Sequence, residues 1–150
     1  TNETVGHYVW AAQWTADGRE ILTRRADRLQ KINDLAACDP ATGACRSVAR
    51  ETRRTWAAAD APRFLADGRR FIWASERTGF RNFYLFDLEQ GEIGPLTRHA
   101  ADAVDVLRID DDAGWLWYTA RTGDSPLKVQ LHRVRLDGSD DRRLTDPAYT

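Results

Sequence analysis

The serines and histidines are the residues with which this chain could carry out acyl-transfer chemistry. A serine nucleophile of the elbow type lies in a G-x-S-x-G turn and needs a histidine and an acid beside it. The 150 residues contain no such turn. The serines and histidines fall instead in predicted strands, strand ends and connections: Ser47, Ser75, Ser125, Ser139, His7, His99 and His132. We therefore expect no catalytic residue in this chain.

Two sets of residues are candidate metal ligands, and neither predicts a site. Asp110, Asp111 and Asp112 form the densest acidic run. A calcium ion needs several oxygens that converge on one point, and such a run is more typical of a solvated turn. Cys38 and Cys45 have no second Cys/His pair with the ligand spacing of a zinc site. The sequence thus predicts neither a metal nor another cofactor.

The two cysteines allow two interpretations. Cys38 and Cys45 bracket residues 39–44, a segment rich in turn formers. If the flanking strands pair, the two sulfurs face each other across a hairpin and can form a disulfide in an oxidising compartment. The alternative is two free, partly buried thiols.

Composition narrows the class of protein. Hydrophobic residues make up 42% and charged residues 30% of the chain, unlike a disordered or membrane protein. The net charge of -1 provides no field for holding nucleic acid or an anionic membrane, so we expect neither as a partner. The chain has no methionine and begins at Thr1, and we expect it to be a segment of a longer protein.

The elements that must position these side chains repeat along the chain. Asp17-Gly18-Arg19 and Asp67-Gly68-Arg69 each follow a predicted strand, and Asp112-Ala113-Gly114 takes the same place in a third copy. The turns begin 50 and then 45 residues apart. Such a period is typical of the four-stranded blades of a β-propeller.

The central strands of these copies are apolar on both faces. They include residues 71–74, Phe-Ile-Trp-Ala, 83–86, Phe-Tyr-Leu-Phe, and 115–118, Trp-Leu-Trp-Tyr. A strand with one wet face alternates apolar and polar residues, whereas a blade between two other blades is covered on both faces. We accordingly expect core positions for the tryptophans: Trp10, Trp14, Trp56, Trp73, Trp115 and Trp117.

These patterns predict an all-β fold, a partial β-propeller of about three four-stranded antiparallel blades. The blades span approximately residues 8–51, 61–98 and 104–146 of one propeller domain, with no catalytic domain present. A closed propeller takes about four to eight blades, so the chain forms an arc. If the chain is soluble alone, its uncovered end blades predict a homodimer or a rearranged end.

Residues 75–80, Ser-Glu-Arg-Thr-Gly-Phe, and 83–87, Phe-Tyr-Leu-Phe-Asp, resemble the β-propeller of dipeptidyl peptidase IV and its bacterial relatives. These are serine peptidases of the prolyl oligopeptidase group. The similarity runs from about His7 to Thr145 and includes residues 28–35 and 96–97. The structural signature of the blades is the set Asp17, Gly18, Asp67, Gly68, Trp73, Ser75, Glu76, Arg77, Gly79 and Tyr84.

The resemblance implies a longer enzyme that joins an N-terminal propeller of about eight blades to a C-terminal α/β-hydrolase domain. It would remove X-Pro or X-Ala dipeptides from peptide N-termini in the periplasm or outside the cell. This segment would support and gate access to the active site. The family's amine-recognising glutamates lie outside the matched region. Residues 57–61, Ala-Ala-Ala-Asp-Ala, lack the family's basic and aromatic contacts, so the substrate-binding residues are unknown.

A second hypothesis is a protein-binding propeller with no enzyme activity. Periplasmic scaffolds of the translocation-protein type share the Asp-Gly turns and the Leu-Thr strand ends. Their blades repeat at a closer spacing, of about 40–45 residues. The first repeat of 50 residues and the hairpin of residues 75–80 favour the peptidase.

Overall fold

Within residues 5–55, 57 and 60–148, which the computed structural model describes, the chain forms twelve β-strands and no helix. Nothing in this described part could therefore cross a bilayer as a helix. Trp56 lies outside the described residues, as do Ala58 and Ala59. The strands are β1 Tyr8–Trp14, β2 Ile21–Ala26, β3 Ile32–Cys38, β4 Cys45–Thr52, β5 Arg63–Phe64, β6 Arg70–Ser75, β7 Asn82–Asp87, β8 Gly91–Pro95, β9 Ala103–Asp110, β10 Trp115–Ala120, β11 Gln130–Arg135 and β12 Arg142–Arg143.

The strands form three four-stranded antiparallel sheets. Their orders are β1-β2-β3-β4, β5-β6-β7-β8 and β9-β10-β11-β12, so consecutive strands are neighbours in every sheet. This arrangement confirms the prediction of an all-β, partial propeller. Backbone proximity divides the chain into two compact units, residues 1–71 with 86–92 and residues 72–85 with 93–150.

The first two Asp-Gly turns have the same hydrogen-bond pattern. The N–H of Gly18 donates to the carbonyl of Thr15 over 2.9 Å, and the N–H of Gly68 donates to that of Leu65 over 3.0 Å. Gly18 has a φ of 70° and Gly68 a φ of 65°, a region that glycine adopts without the penalty of a Cβ. The repeat seen in the sequence is therefore a repeat of turn geometry.

The first unit has an apolar interior and an exposed edge strand. Phe71 and Phe86 stack with ring centroids 5.5 Å apart, and Leu22 and Leu35 are buried. In β1, at the edge of its sheet, six of the seven residues are exposed. The prediction that Trp14 packs in the core is wrong, since its side chain is 58% exposed. An edge strand has a partner strand on one side only, which leaves its side chains less covered.

In the second unit, β10 alternates instead of being covered on both faces. Leu116 and Tyr118 are buried, whereas Trp115 and Trp117 are half-buried. The prediction of a strand buried on both faces is therefore wrong for β10. The guanidinium of Arg135 lies 4.1 Å from the Trp115 ring centroid, within cation–π range. An arginine side chain thus covers part of the Trp115 ring.

The hairpin between β6 and β7 fixes the residues of the blade signature. The Ser75 hydroxyl accepts a hydrogen bond from Arg77 Nε over 2.9 Å. The Arg77 guanidinium in turn lies 4.3 Å from the Tyr84 ring centroid. Gly79, with a φ of 96°, donates its N–H to the carbonyl of Glu76 over 2.9 Å and closes the turn. These residues hold the two strands together.

Cys38 and Cys45 form a disulfide across the β3–β4 hairpin. Removing it in the double variant Cys38→Ser, Cys45→Ser should lower the free energy of unfolding by about 2–3 kcal/mol, because the unfolded chain regains the entropy of a short closed loop. Urea denaturation checks this value. Reduced wild-type protein is the matched control and should lose the same amount. Unchanged stability in both samples would contradict the prediction.

Candidate functional sites

One concave site lies in the first unit, where three turns meet. It is a pocket of about 280 Å³ lined by the two Asp-Gly turns and by the start of the β7–β8 turn. The lining residues are Thr15, Ala16, Asp17, Glu20, Asp67, Gly68, Arg69, Leu88 and Glu89. At its wall, a Cβ placed on Gly68 would come within 2.4 Å of the Ala16 Cβ. The turns therefore pack closely because this residue is glycine.

The charged groups around this pocket are already paired. Arg46 Nη2 donates to Glu20 Oε2 over 2.6 Å, and Arg69 Nε donates to Asp87 Oδ2 over 2.6 Å. The hydrogen bond to Asp87 and its charge raise the pKa of Arg69. The Thr15 hydroxyl donates to Asp17 over 2.6 Å, and this bond lowers the pKa of the Asp17 carboxyl. The carboxylates thus stabilise the turns and form the ion pairs of the pocket wall.

The second unit contains a polar cluster centred on Asp141. The Tyr118 hydroxyl donates to Asp141 Oδ1 over 2.6 Å. His99 Nε2 lies 3.2 Å from Asp141 Oδ2 and 2.7 Å from the Tyr118 hydroxyl. His132 Nδ1 lies 3.4 Å from Asp141 Oδ1. One carboxylate therefore receives polar contacts from two imidazoles and a phenol.

Different strands and connections carry the members of this cluster. Tyr118 lies in β10 and His132 in β11, while His99 follows β8 and Asp141 immediately precedes β12. The buried amide of Asn82 holds the His99 backbone at both polar groups. Asn82 Oδ1 accepts the His99 N–H over 2.9 Å, and its Nδ2 donates to the His99 carbonyl over 3.1 Å. The position of His99 is therefore set by the fold.

Asp141 is held in its charged form. Burial alone would raise the pKa of its carboxyl, but hydrogen bonds with His132, His99 and Tyr118 bring that pKa below its ordinary value. For Tyr118, burial comes first, and the bond to Asp141 and its negative charge act in the same direction. Together they raise the pKa of the phenol. At neutral pH the cluster thus pairs a carboxylate with a neutral phenol.

Thr122, His132 and Asp141 also lie in the order hydroxyl, imidazole, carboxylate. Thr122 Oγ1 is 2.6 Å from His132 Nε2. A serine relay has this order, yet His132 is 4% exposed, and Asp141 is shared with two other side chains. A buried imidazole has little room for a substrate leaving group. The Thr122 contact therefore orients the His132 ring and does not form a nucleophile.

The residue pattern does not predict this cluster. It places His99 and His132 separately in strands or connections and indicates no chemical role for Tyr118 or Asp141. The structure leaves His7 exposed and brings the other two histidines to ring centroids 5.0 Å apart. A histidine inside a predicted strand, with an acid just beyond the next turn, is the one local signal that could have pointed to it.

Comparison with known proteins supplies a family. The model of the dipeptidyl peptidase IV (DPP IV) N-terminal region matches residues 2–150. An uncharacterised protein of Agrobacterium fabrum is 33% identical over 84 residues, which are 55% of this chain and 27% of that protein. The chain therefore spans about a quarter of that curated relative.

Solved structures share the fold at low sequence identity. Dipeptidyl peptidase 4 of Porphyromonas gingivalis matches with a TM-score of 0.78 and 20% identity, over 91% of this chain and 20% of that one. A candidate dipeptidyl aminopeptidase IV of Bacteroides ovatus gives 0.72 and 18%, over 89% and 22%. A candidate TolB of Agrobacterium tumefaciens gives 0.62 and 16%, over 95% and 51%. The chain thus spans about a fifth of each of the two peptidase chains.

Proposed function

Since the chain belongs to the dipeptidyl peptidase IV N-terminal region family, we propose that it is a non-catalytic propeller segment of a serine-type dipeptidyl peptidase. The longer protein would remove X-Pro or X-Ala dipeptides from peptide N-termini. The family match over residues 2–150 is the observation that carries this proposal. The sequence lacks a G-x-S-x-G turn, so the nucleophile would belong to a C-terminal α/β-hydrolase domain of the same protein.

The role of this segment would be to support the active site and to gate access to it. Blades beside a catalytic domain restrict entry to narrow or extended chains such as peptides. That role requires a rigid domain, and strands with buried side chains support such rigidity. All six side chains of β7 are buried, including Phe83, Leu85 and Phe86. Peptide substrates would therefore be selected by size before they reach the nucleophile.

The Cys38–Cys45 disulfide bears on where the protein works. Disulfides persist in oxidising compartments and are rare in reducing ones. This supports a periplasmic or secreted location for the longer protein.

The edge strand β1 supports a proposal about association. Its exposed apolar side chains include Tyr8 at 48%, Val9 at 60% and Trp14 at 58% exposure. Exposed apolar groups along one strand favour contact with another surface. We propose that a second copy covers this strand when the chain stands alone, and analytical ultracentrifugation would show such a homodimer.

Hydrolysis of chromogenic Ala-Pro and Gly-Pro amides tests the enzymatic proposal. We expect the full-length protein to release the chromophore and the isolated 150-residue chain to be inactive. A fluorophosphonate probe should label the full-length protein and leave the chain unlabelled, since the reactive serine would lie elsewhere. Labelling or turnover by the isolated chain would contradict the assignment of the segment as non-catalytic.

The alternative is a protein-binding propeller without enzyme activity. The fold match to the candidate TolB, with a TM-score of 0.62 over 95% of this chain, is the observation that favours this second function. A full-length protein that is folded, yet neither hydrolyses the amides nor reacts with the probe, would support this alternative. Cross-linking in the periplasm would then be the way to its protein partner.

A further inference from the structure

We propose that His99, His132 and Asp141 form a binding site for a divalent transition-metal ion of the Zn²⁺ type. One donor atom from each of these side chains lies within 4.8 Å of the other two. Two nitrogens and one carboxylate oxygen are a donor set that suits zinc and its neighbours in the first transition row. Magnesium and calcium favour sites made of oxygens alone, so the donor set argues against them.

Each imidazole lies at about the distance from an Asp141 oxygen that two ligands of one ion would have. With metal–nitrogen and metal–oxygen distances of about 2.0–2.2 Å, tetrahedral ligands stand about 3.3–3.6 Å apart. His132 Nδ1 lies 3.4 Å from Asp141 Oδ1, and His99 Nε2 lies 3.2 Å from Asp141 Oδ2. An ion could therefore replace the contacts that the imidazoles make to Asp141, once the side chains bring donor atoms that now lie within 4.8 Å of one another to this spacing.

The groups around the ligands hold them as the outer contacts of metal sites do. Thr122 Oγ1 contacts the second ring nitrogen of His132 over 2.6 Å, and such a contact fixes the ring and its tautomer. Asn82, itself 1% exposed, holds the backbone of His99 by two hydrogen bonds. Both imidazoles are thus held in place by partners that are not ligands.

Tyr118 is a further partner that holds two of the ligands from outside the donor set. Its hydroxyl lies 2.7 Å from His99 Nε2 and 2.6 Å from Asp141 Oδ1. The Asp141 side chain is 23% exposed, which leaves a route for the ion from solvent. The ion would tie the connection after β8 to β11 and to the start of β12.

Zinc titration of the full-length protein, stripped with dipicolinate beforehand, tests this site. Calorimetry should show saturable binding that is absent in His99→Gln and in Asp141→Asn and present in His7→Gln, an exposed histidine outside the cluster. The differences from wild type isolate this site from any other in the longer protein. Thr122→Val should bind about 10–100-fold more weakly, as expected for loss of an outer contact.

Cobalt provides a second measurement on the same samples. Co²⁺ bound by two nitrogens and oxygen ligands should show visible d–d bands in wild type and His7→Gln, and none in His99→Gln. Circular dichroism without metal shows which variants fold. His99→Gln alters a partly exposed connection. If Asp141→Asn does not fold, the result for His99→Gln decides the test. Equal zinc binding in wild type and His99→Gln, or no binding in wild type, would overturn the proposal.

Discussion

Replacing Trp73 by alanine should lower the free energy of unfolding by about 3–5 kcal/mol. Trp73 lies in β6 and is 1% exposed. Alanine would leave a large cavity in a close-packed interior, and the loss combines the burial of the ring with the cost of that cavity. Urea denaturation followed by far-ultraviolet circular dichroism measures it without depending on tryptophan fluorescence.

Trp14→Ala is the matched control for this measurement. Trp14 is also a strand tryptophan, but it is 58% exposed. Its replacement removes little buried surface and should cost less than about 1 kcal/mol. A loss below about 1 kcal/mol for Trp73→Ala in a folded protein would contradict the burial of this side chain.

Gly68→Ala should cost about 2–5 kcal/mol, because two effects add. Gly68 has a φ of 65°, which an alanine adopts with strain. The new Cβ would also come within 2.4 Å of the Ala16 Cβ, so one turn must move away from the other. Thermal denaturation and urea denaturation should both show the loss.

Gly18→Ala separates these two effects. Gly18 has nearly the same conformation, with a φ of 70°, and a Cβ there would meet nothing within 4 Å. This variant should therefore cost only the conformational part, about 1–2 kcal/mol. Equal losses of unfolding free energy at the two glycines would mean that the crowding of the new Cβ at position 68 against Ala16 costs nothing.

Much of the fold could be predicted because the informative signals are local. The Asp-Gly turns depend on residues that are adjacent in the sequence. The apolar run of residues 83–86 predicts a strand that is covered on both faces. The third turn shows the limit of this approach. Its side-chain bond comes from Asp110, whose Oδ1 accepts the N–H of Ala113 over 3.0 Å, although Asp112 matches the repeat. Three adjacent aspartates give no local reason to prefer one over another.

The burial of individual tryptophans depended on the position of their strand. Trp73 and Trp14 both follow the strand pattern, yet one is buried and the other exposed. Position within a sheet, at the edge or in the middle, makes the difference, and a single strand does not encode it. Trp115 adds a second cause, since arginines of β11 cover a ring that the pattern had assigned to the core.

The polar cluster could not be predicted because its members are distant in sequence. His99, His132 and Asp141 belong to two connections and a strand, and only the strand order brings them together. Each looked ordinary alone: a histidine in a loop, a histidine in a strand and an acid beside arginines. A constellation of this kind becomes visible only when side chains have been placed in three dimensions.

The order of strands within each sheet has a consequence for the synthesis of the protein. Every sheet is built from four strands that follow one another along the chain. Pairing such neighbours closes only short loops, so little entropy is lost before contacts form. The strands of one sheet can therefore begin to pair on the ribosome as they emerge, while the next sheet is still being translated. The nascent chain never needs to hold many unpaired strands at once, which shortens the time in which it can aggregate.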